Sequence, residues 1–273
     1  MNLKLKILGE SSVEWKTSAI LPWRNHKYKF DGAKQNASGT EVFLNSTYNV
    51  FDQKIALLSG NHDFKFNFDL PTTISPSFKG KYGEISYSLI AFFSSENSLD
   101  DLNSNKIVFD CFYGQNPTQS FIFTTLPTFE ASKTYNKCFR ESQPLRVIVG
   151  MPSVSFLSGE DVLVLIHIDN ESGYKIVRII VNLVEVTKFK SLQSQSLVKE
   201  QSEIILTEDF FKKAVQENDN LEAMIKLPYL NPIFLSKIIS VSYEFQIELK
   251  VSHFKSFPKI KIPLDVDILE KNV

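Results

Sequence analysis

The feature that most constrains this chain is a period of two. In Phe64-Lys65-Phe66-Asn67-Phe68-Asp69-Leu70, three phenylalanines and a leucine alternate with polar residues. Only an extended backbone sends every second side chain to one side, so the run predicts a half-buried strand. Phe66 is expected in the core, where Phe66→Asp would bury an unpaired charge and abolish soluble folding. The same alternation opens the chain, from Leu3 to Glu10, and reads as a strand rather than a signal peptide, which needs an uninterrupted apolar block. Further runs at 84–92, 162–168, 175–186, 238–251 and 261–268 are rich in Ile, Val, Tyr and Phe, the residues that suit a pleated, half-buried surface.

Turn formers separate these runs: Ser59-Gly60-Asn61, the span 71–76, the span 114–117 and the span 169–173. Asn36, Asn45 and Asn170 head glycosylation sequons and are read as further turn markers. Helical spacing is scarce. One short helix is expected, with Thr207 as its cap and Phe210, Phe211, Ala214 and Val215 on one face. Many short strands with turns between them and no regular strand–helix alternation predict an all-β protein of sandwich type. A chain of 273 residues accommodates about two domains of ordinary size. The polar, proline-bearing stretch from Lys137 to Pro144 places the boundary near the middle, giving domains 1–142 and 143–273.

Charge and composition narrow the function. With 30 Lys+Arg against 31 Asp+Glu, no overall field draws the chain to nucleic acid or to an anionic membrane. No apolar run approaches the about 20 residues that a spanning helix requires. The two cysteines, Cys111 and Cys138, are too few for a disulfide framework or a four-cysteine zinc site and are read as buried or idle thiols. These readings predict a cytoplasmic protein.

Catalytic chemistry finds little support. His26, His62, His167 and His253 are scattered without chelating spacing, so no metal is expected, and His167 is read as an outward-facing or satisfied strand residue. No nucleophile elbow, phosphate loop or dinucleotide fingerprint occurs, so no catalytic residue and no cofactor is assigned. Gly80-Lys81-Tyr82-Gly83 has the spacing of an RNA-clamping loop but precedes a strand, so both glycines are read as supplying positive φ to a tight turn. Adjacent acids at Glu160-Asp161 and Glu208-Asp209 read as solvated charges. Asp265 and Asp267, two apart on a strand, keep open a rival reading: a sandwich with a carbohydrate or lipid pocket near that pair.

A longer pattern resembles a known family. Gly60-x-His62-x-Phe64-x-Phe66-x-Phe68-x-Leu70-Pro71, followed by Pro76-Ser77-Phe78-x-Gly80-x-x-Gly83-x-Ile85-x-Tyr87, resembles the amino-terminal domain of arrestins, most closely the α-arrestins. Phe156-Leu157-Ser158-Gly159-Glu160, with the strand after it, Ile239-x-Val241-x-Tyr243 and Ile262-Pro263-Leu264 resemble the carboxy-terminal domain, with Ser158 where the family has proline. The resemblance implies two tandem immunoglobulin-like β-sandwiches. Gly9 to Trp15 resembles a segment that usually follows the family's first strands, so it also implies that several opening strands are missing.

By that resemblance the chain is a non-catalytic adaptor or scaffold in membrane-protein trafficking, cytoplasmic and peripheral at plasma membrane or endosomes. Its partners are cargo tails and trafficking proteins, bound through sandwich edges and the groove between domains. Family members recruit ubiquitin ligases through Pro-Pro-x-Tyr motifs, and these 273 residues contain none. Lys250, Lys255, Lys259 and Lys261 form a loose basic group along the last strands and are the candidate contacts for an anion or a phosphorylated tail.

Overall fold

The computed structural model describes residues 2–18, 34–51, 58–71, 74–94, 102–103, 106–112, 127–137, 140–193, 197–210, 218–230 and 233–267. Apart from one 3-10 turn these contain strands and connections only, and no helix among them is long and apolar enough to cross a membrane. The protein is all-β, built as tandem β-sandwiches.

The first sheet comprises β1 (Asn2–Ser18), β2 (Lys34–Asn49), β3 (Phe78–Lys79), β4 (Gly83–Ser94), β5 (Leu102–Asn103) and β6 (Ile107–Phe109). The order is β2-β1-β4-β3, with β5 and β6 also on β4. Alternation along β1 buries Leu3, Leu5, Ile7, Val13 and Trp15, and Ile85 and Tyr87 of β4 join them. Tyr87 donates its hydroxyl to the Ser75 carbonyl. Ser77 N–H donates to Cys111 O while Cys111 N–H donates to Ser77 Oγ, which pins the proline-bearing connection to the sheet. Cys111 is buried as expected, and burial pushes its thiol up; Cys138 and His26 lie outside the described residues.

The later strands are β7 (Thr128–Lys133), β8 (Asn136–Lys137), β9 (Arg140–Glu141), β10 (Leu145–Gly150), β11 (Ser155–Leu157), β12 (Asp161–Asn170), β13 (Ile176–Lys190), β14 (Val198–Asp209), β15 (Asp219–Lys226), β16 (Phe234–Leu235), β17 (Ile239–Val251) and β18 (Ile260–Asp267). They form a sheet β15-β12-β10-β7 and a sheet β11-β18-β17-β13-β14 with β16 on β17, while β8 and β9 pair as a short hairpin. Each inner face is made by every second residue. Val162, Val164, Ile166 and Ile168 are buried on β12, and Tyr243, Phe245, Ile247 and Leu249 on β17, which is the alternation a two-layer core demands.

By contacts the chain divides into two compact units. One is Met1–Tyr113 with Lys188–Lys199 and Phe234–Ser240; the other is Gly114–Thr187 with Glu200–Ile233 and Val241–Val273. β7, which pairs with β10, therefore sits in the second unit.

Four local expectations are corrected. Residues 61–70 belong to no ladder, and Phe66 is 41 % exposed rather than core. Both sides of β1 are taken, by β2 and β4, so the alternating run has no strand beside it there and satisfies its apolar side chains by ring contacts instead. Phe64 meets Phe51 at 5.1 Å and Phe66 stacks on Phe68 at 6.2 Å. Thr207 lies in β14, where its Oγ1 donates to Asn182 Oδ1, so it caps no helix; residues 211–217 lie outside the described residues. Asn36 and Asn45 lie within β2 rather than at turns, whereas Asn170 ends β12 and binds Ser172 through its side-chain oxygen.

The fourth concerns Gly80 and Gly83. They do bracket a tight turn, with Gly80 N–H donating to Gly83 O at 2.9 Å, but neither has positive φ. Space is the reason for glycine: a Cβ on Gly83 would strike the Ser12 carbonyl, and one on Gly80 would meet the Phe78 ring at 2.8 Å. Among the described glycines positive φ falls instead at Gly60 and Gly173, within turns the sequence marks, and at Gly159.

Candidate functional site

The β17–β18 connection builds a groove of about 610 Å³ within the second unit. Alternation turns the odd residues of β17 inward, so Leu249 and Val251 are buried and Glu248 and Lys250 face out. Ser252–Phe254 then forms a single 3-10 turn in which His253 is left-handed, with φ 57 and ψ 32. Histidine is among the residues that tolerate this region. The turn is tied down twice, since Ser252 N–H donates to Lys175 O while Lys175 N–H donates to Ser252 Oγ. Lys250 and Ser256 form an isolated bridge across its base, and Phe257 and Ile260 anchor its exit in the core. A rigid loop with buried ends thus presents a polar crest.

Three of the four lysines singled out from the sequence, Lys250, Lys255 and Lys259, line this groove, together with Glu248, His253, Ser256 and Phe257. Lys261 does not line it. Its Nζ lies 2.9 Å from Glu244 Oε1, and that hydrogen bond raises its pKa. Among the lining lysines and glutamate the groove holds an excess of two positive charges. Glu248 partly neutralises it: Oε1 is 2.6 Å from Lys259 Nζ and Oε2 is 3.5 Å from Lys250 Nζ. The Lys259 hydrogen bond, ahead of the attraction of both lysines, holds the Glu248 carboxyl below the usual carboxylate range.

An aromatic cluster adjoins the groove through Lys255 and His253. Lys255 Nζ sits 5.6 Å from the Tyr174 ring centroid, a cation–π distance. Tyr174 also meets His253 at 6.0 Å and Tyr135 at 5.1 Å, both edge to face. Tyr135 is buried, which pushes its phenol up, and among the described residues its hydroxyl has no hydrogen-bond partner. Lys133 reaches the same corner and donates to Ser256 Oγ at 2.9 Å. Sequence reasoning missed Glu248, His253, Tyr174 and Lys133. The mixed run Ser252-His253-Phe254-Lys255-Ser256-Phe257, too polar for a strand and flanked by two good ones, is the signal that could have found the loop.

The arrangement can hold an anion against its lysines; on the same crest His253 Nδ1 lies 3.3 Å from Ser252 Oγ. Among the described residues no group of three His, Cys, Asp or Glu could hold a metal ion. His167 faces out of β12, with Nδ1 2.7 Å from Asn220 Oδ1, as a satisfied strand histidine does. Asp265 is exposed on β18 and accepts from Ser155 Oγ at 3.3 Å, and it does not line the groove. The side chain of Asp267, its partner in the rival reading, lies outside the described residues.

The Ser158–Gly159 turn explains the departure from proline. Leu157 N–H donates to Glu160 Oε2, Gly159 takes φ 86, and Ser158 Oγ accepts from Leu230 N–H at 2.7 Å, a tie that proline has no side-chain oxygen to make. The family's own domain models match in the same order as the two sets of strands. The N-terminal domain of "Arrestin (or S-antigen)" matches residues 1–110 and its C-terminal domain matches residues 141–270. The chain belongs to the arrestin family. It is also similar to "Arrestin domain-containing protein B" of Dictyostelium discoideum, 24 % identical over 212 residues, which are 76 % of this chain and 32 % of that relative. This arrestin therefore spans about a third of the length of the curated relative it matches. The match fits the α-arrestin type, and membership supports an adaptor-like role in general terms.

Proposed function

We propose that this arrestin is a non-catalytic adaptor in membrane-protein trafficking that takes the anionic tail of a membrane-protein cargo in the groove of the β17–β18 connection. The observation that supports the reading is the convergence of Lys250, Lys255 and Lys259 on one groove at the β17–β18 connection, with Lys255 against the Tyr174 ring. Exposed lysines on a pinned backbone lose less freedom on binding than lysines on a mobile one, so their attraction for an anion is better used. The same reading makes the protein cytoplasmic and peripheral at plasma membrane or endosomes, brought there by its cargo.

The test is fluorescence anisotropy with a labelled peptide carrying clustered phosphoserines and glutamates. Reversal of Lys250, Lys255 and Lys259 to Glu should weaken binding by about tenfold or more, and binding should fall with salt, because rim charges act through a screened field. Lys261→Glu alone should change little, since Glu244 already holds that side chain. Unchanged peptide binding in the triple variant would remove the groove from the mechanism; loss of binding to acidic vesicles with the peptide unaffected would make the site a lipid contact instead.

A further inference from the structure

We infer that β14 is a docking edge for a basic, extended segment of a partner protein. This goes beyond the groove and rests on the adaptor reading only in assuming that the protein binds extended chains. β14 ends its sheet: it is laddered to β13 on one side, and among the described residues no strand lies on the other. Every second backbone N–H and C=O of such a strand points outward and is open to a new ladder. Native edges are blunted by shortness, proline, lysines or bulges. The opposite edge of this sheet, β11, is three residues long, whereas β14 runs for twelve, Val198–Asp209, without proline or glycine and with a single lysine.

Its side chains name the occupant. Ile204 is 59 % and Ile205 38 % exposed, and as neighbours they project to opposite faces, leaving apolar surface on both sides of one point of the edge. Around them stand Glu200, Glu203, Glu208 and Asp209 against Lys199; Asp209 is held by Arg178 of β13 and Glu200 is attracted to Lys261, so Glu203 and Glu208 carry most of the charge offered to a partner. A second copy fits poorly. In the antiparallel register centred between the isoleucines Glu200 would face Asp209, and in a parallel register each acid would face itself; like charges directly opposite oppose pairing. The strand is complemented by a segment with β-branched residues in its middle and Lys or Arg towards both ends, pairing its backbone with β14 and its charges with the acids.

The experiment uses the whole chain and a fluorescein-labelled ten-residue peptide with four β-branched residues flanked on each side by Lys and Arg. Two companions carry Glu and Asp at the flanks, or N-methyl groups on alternate backbone nitrogens. The basic peptide should bind, and N-methylation should abolish it. Glu203→Lys with Glu208→Lys should weaken it by about tenfold and confer binding of the acidic companion. Equal binding across this charge swap, or indifference to N-methylation in the wild-type protein, would overturn the assignment. So would a concentration-dependent dimer in sedimentation that the same two substitutions abolish, since the occupant would then be a second copy. Binding of the phosphoserine peptide to the groove is measured beside it, so failure of the edge leaves the adaptor reading standing and failure of the groove leaves the edge.

Discussion

Glu248 touches two of the three groove lysines at once, and that makes it the residue through which the site is tuned. Glu248→Gln would keep the shape while releasing Lys250 and Lys259, so binding of the anionic peptide at neutral pH should tighten by a few-fold, of the order of one removed like-signed competitor; weaker binding would mean that Glu248 positions the lysines instead of masking them. The same carboxylate has a signature in stability. Its folded pKa is depressed, so its contribution is fully present above the ordinary carboxylate range, near about 4.3, and is lost as pH falls through the folded value. Denaturation midpoints between neutral pH and strong acid should therefore fall less steeply in Glu248→Gln than in the wild type. In the core, Tyr87→Phe strands the Ser75 carbonyl and should cost about 1–3 kcal/mol, read from urea unfolding. The lysines were legible in sequence because charge on a strand shows in the letters. Glu248 was not, because its importance lies in which neighbours its two oxygens reach.

At the scale of elements, the alternating runs read as strands that also have a neighbour to pair with are β1, β4, β12, β13, β17 and β18, whereas β2, β7, β10, β14 and β15 are paired strands that sequence reasoning missed. The span 61–70 shows the limit. A period of two reports which side chains share a side and says nothing of whether another backbone lies alongside, and here it has none. Phe66→Asp, expected from sequence to abolish folding, should shift the unfolding midpoint by no more than the equivalent of about 1 kcal/mol, because the ring is already 41 % in solvent. A loss of soluble protein would show that the segment is laddered in solution. Turn positions were legible too, but not their reasons. Gly83→Ala is expected to destabilise β4 through the Ser12 carbonyl, a contact between strands far apart in sequence, and not through φ.

For the whole molecule, the all-β architecture could be read from alternating runs and turn residues, and the family from a resemblance that the domain models match. The interleaving of the chain could not. The first compact unit draws on Lys188–Lys199 and Phe234–Ser240, segments that follow more than half the sequence. These bring Phe189 to 5.6 Å from Tyr82 and 6.4 Å from Phe78, and Phe234 to 5.4 Å from Phe78. A fragment ending at residue 142, the boundary that composition suggests, lacks both rings and leaves Phe78 and Tyr82 uncovered. Loss of a buried phenylalanine costs about 3–5 kcal/mol, and in a domain of this size each kcal/mol lowers the melting point by about 4–8 °C. The fragment 1–142 should accordingly melt well below the first unit of the intact chain, followed by the fluorescence of buried Trp15. Phe189→Ala in the full chain should reproduce much of the drop. Equal midpoints for fragment and intact protein would mean that the first unit is complete without the later segments, and that the chain is two beads on a string after all.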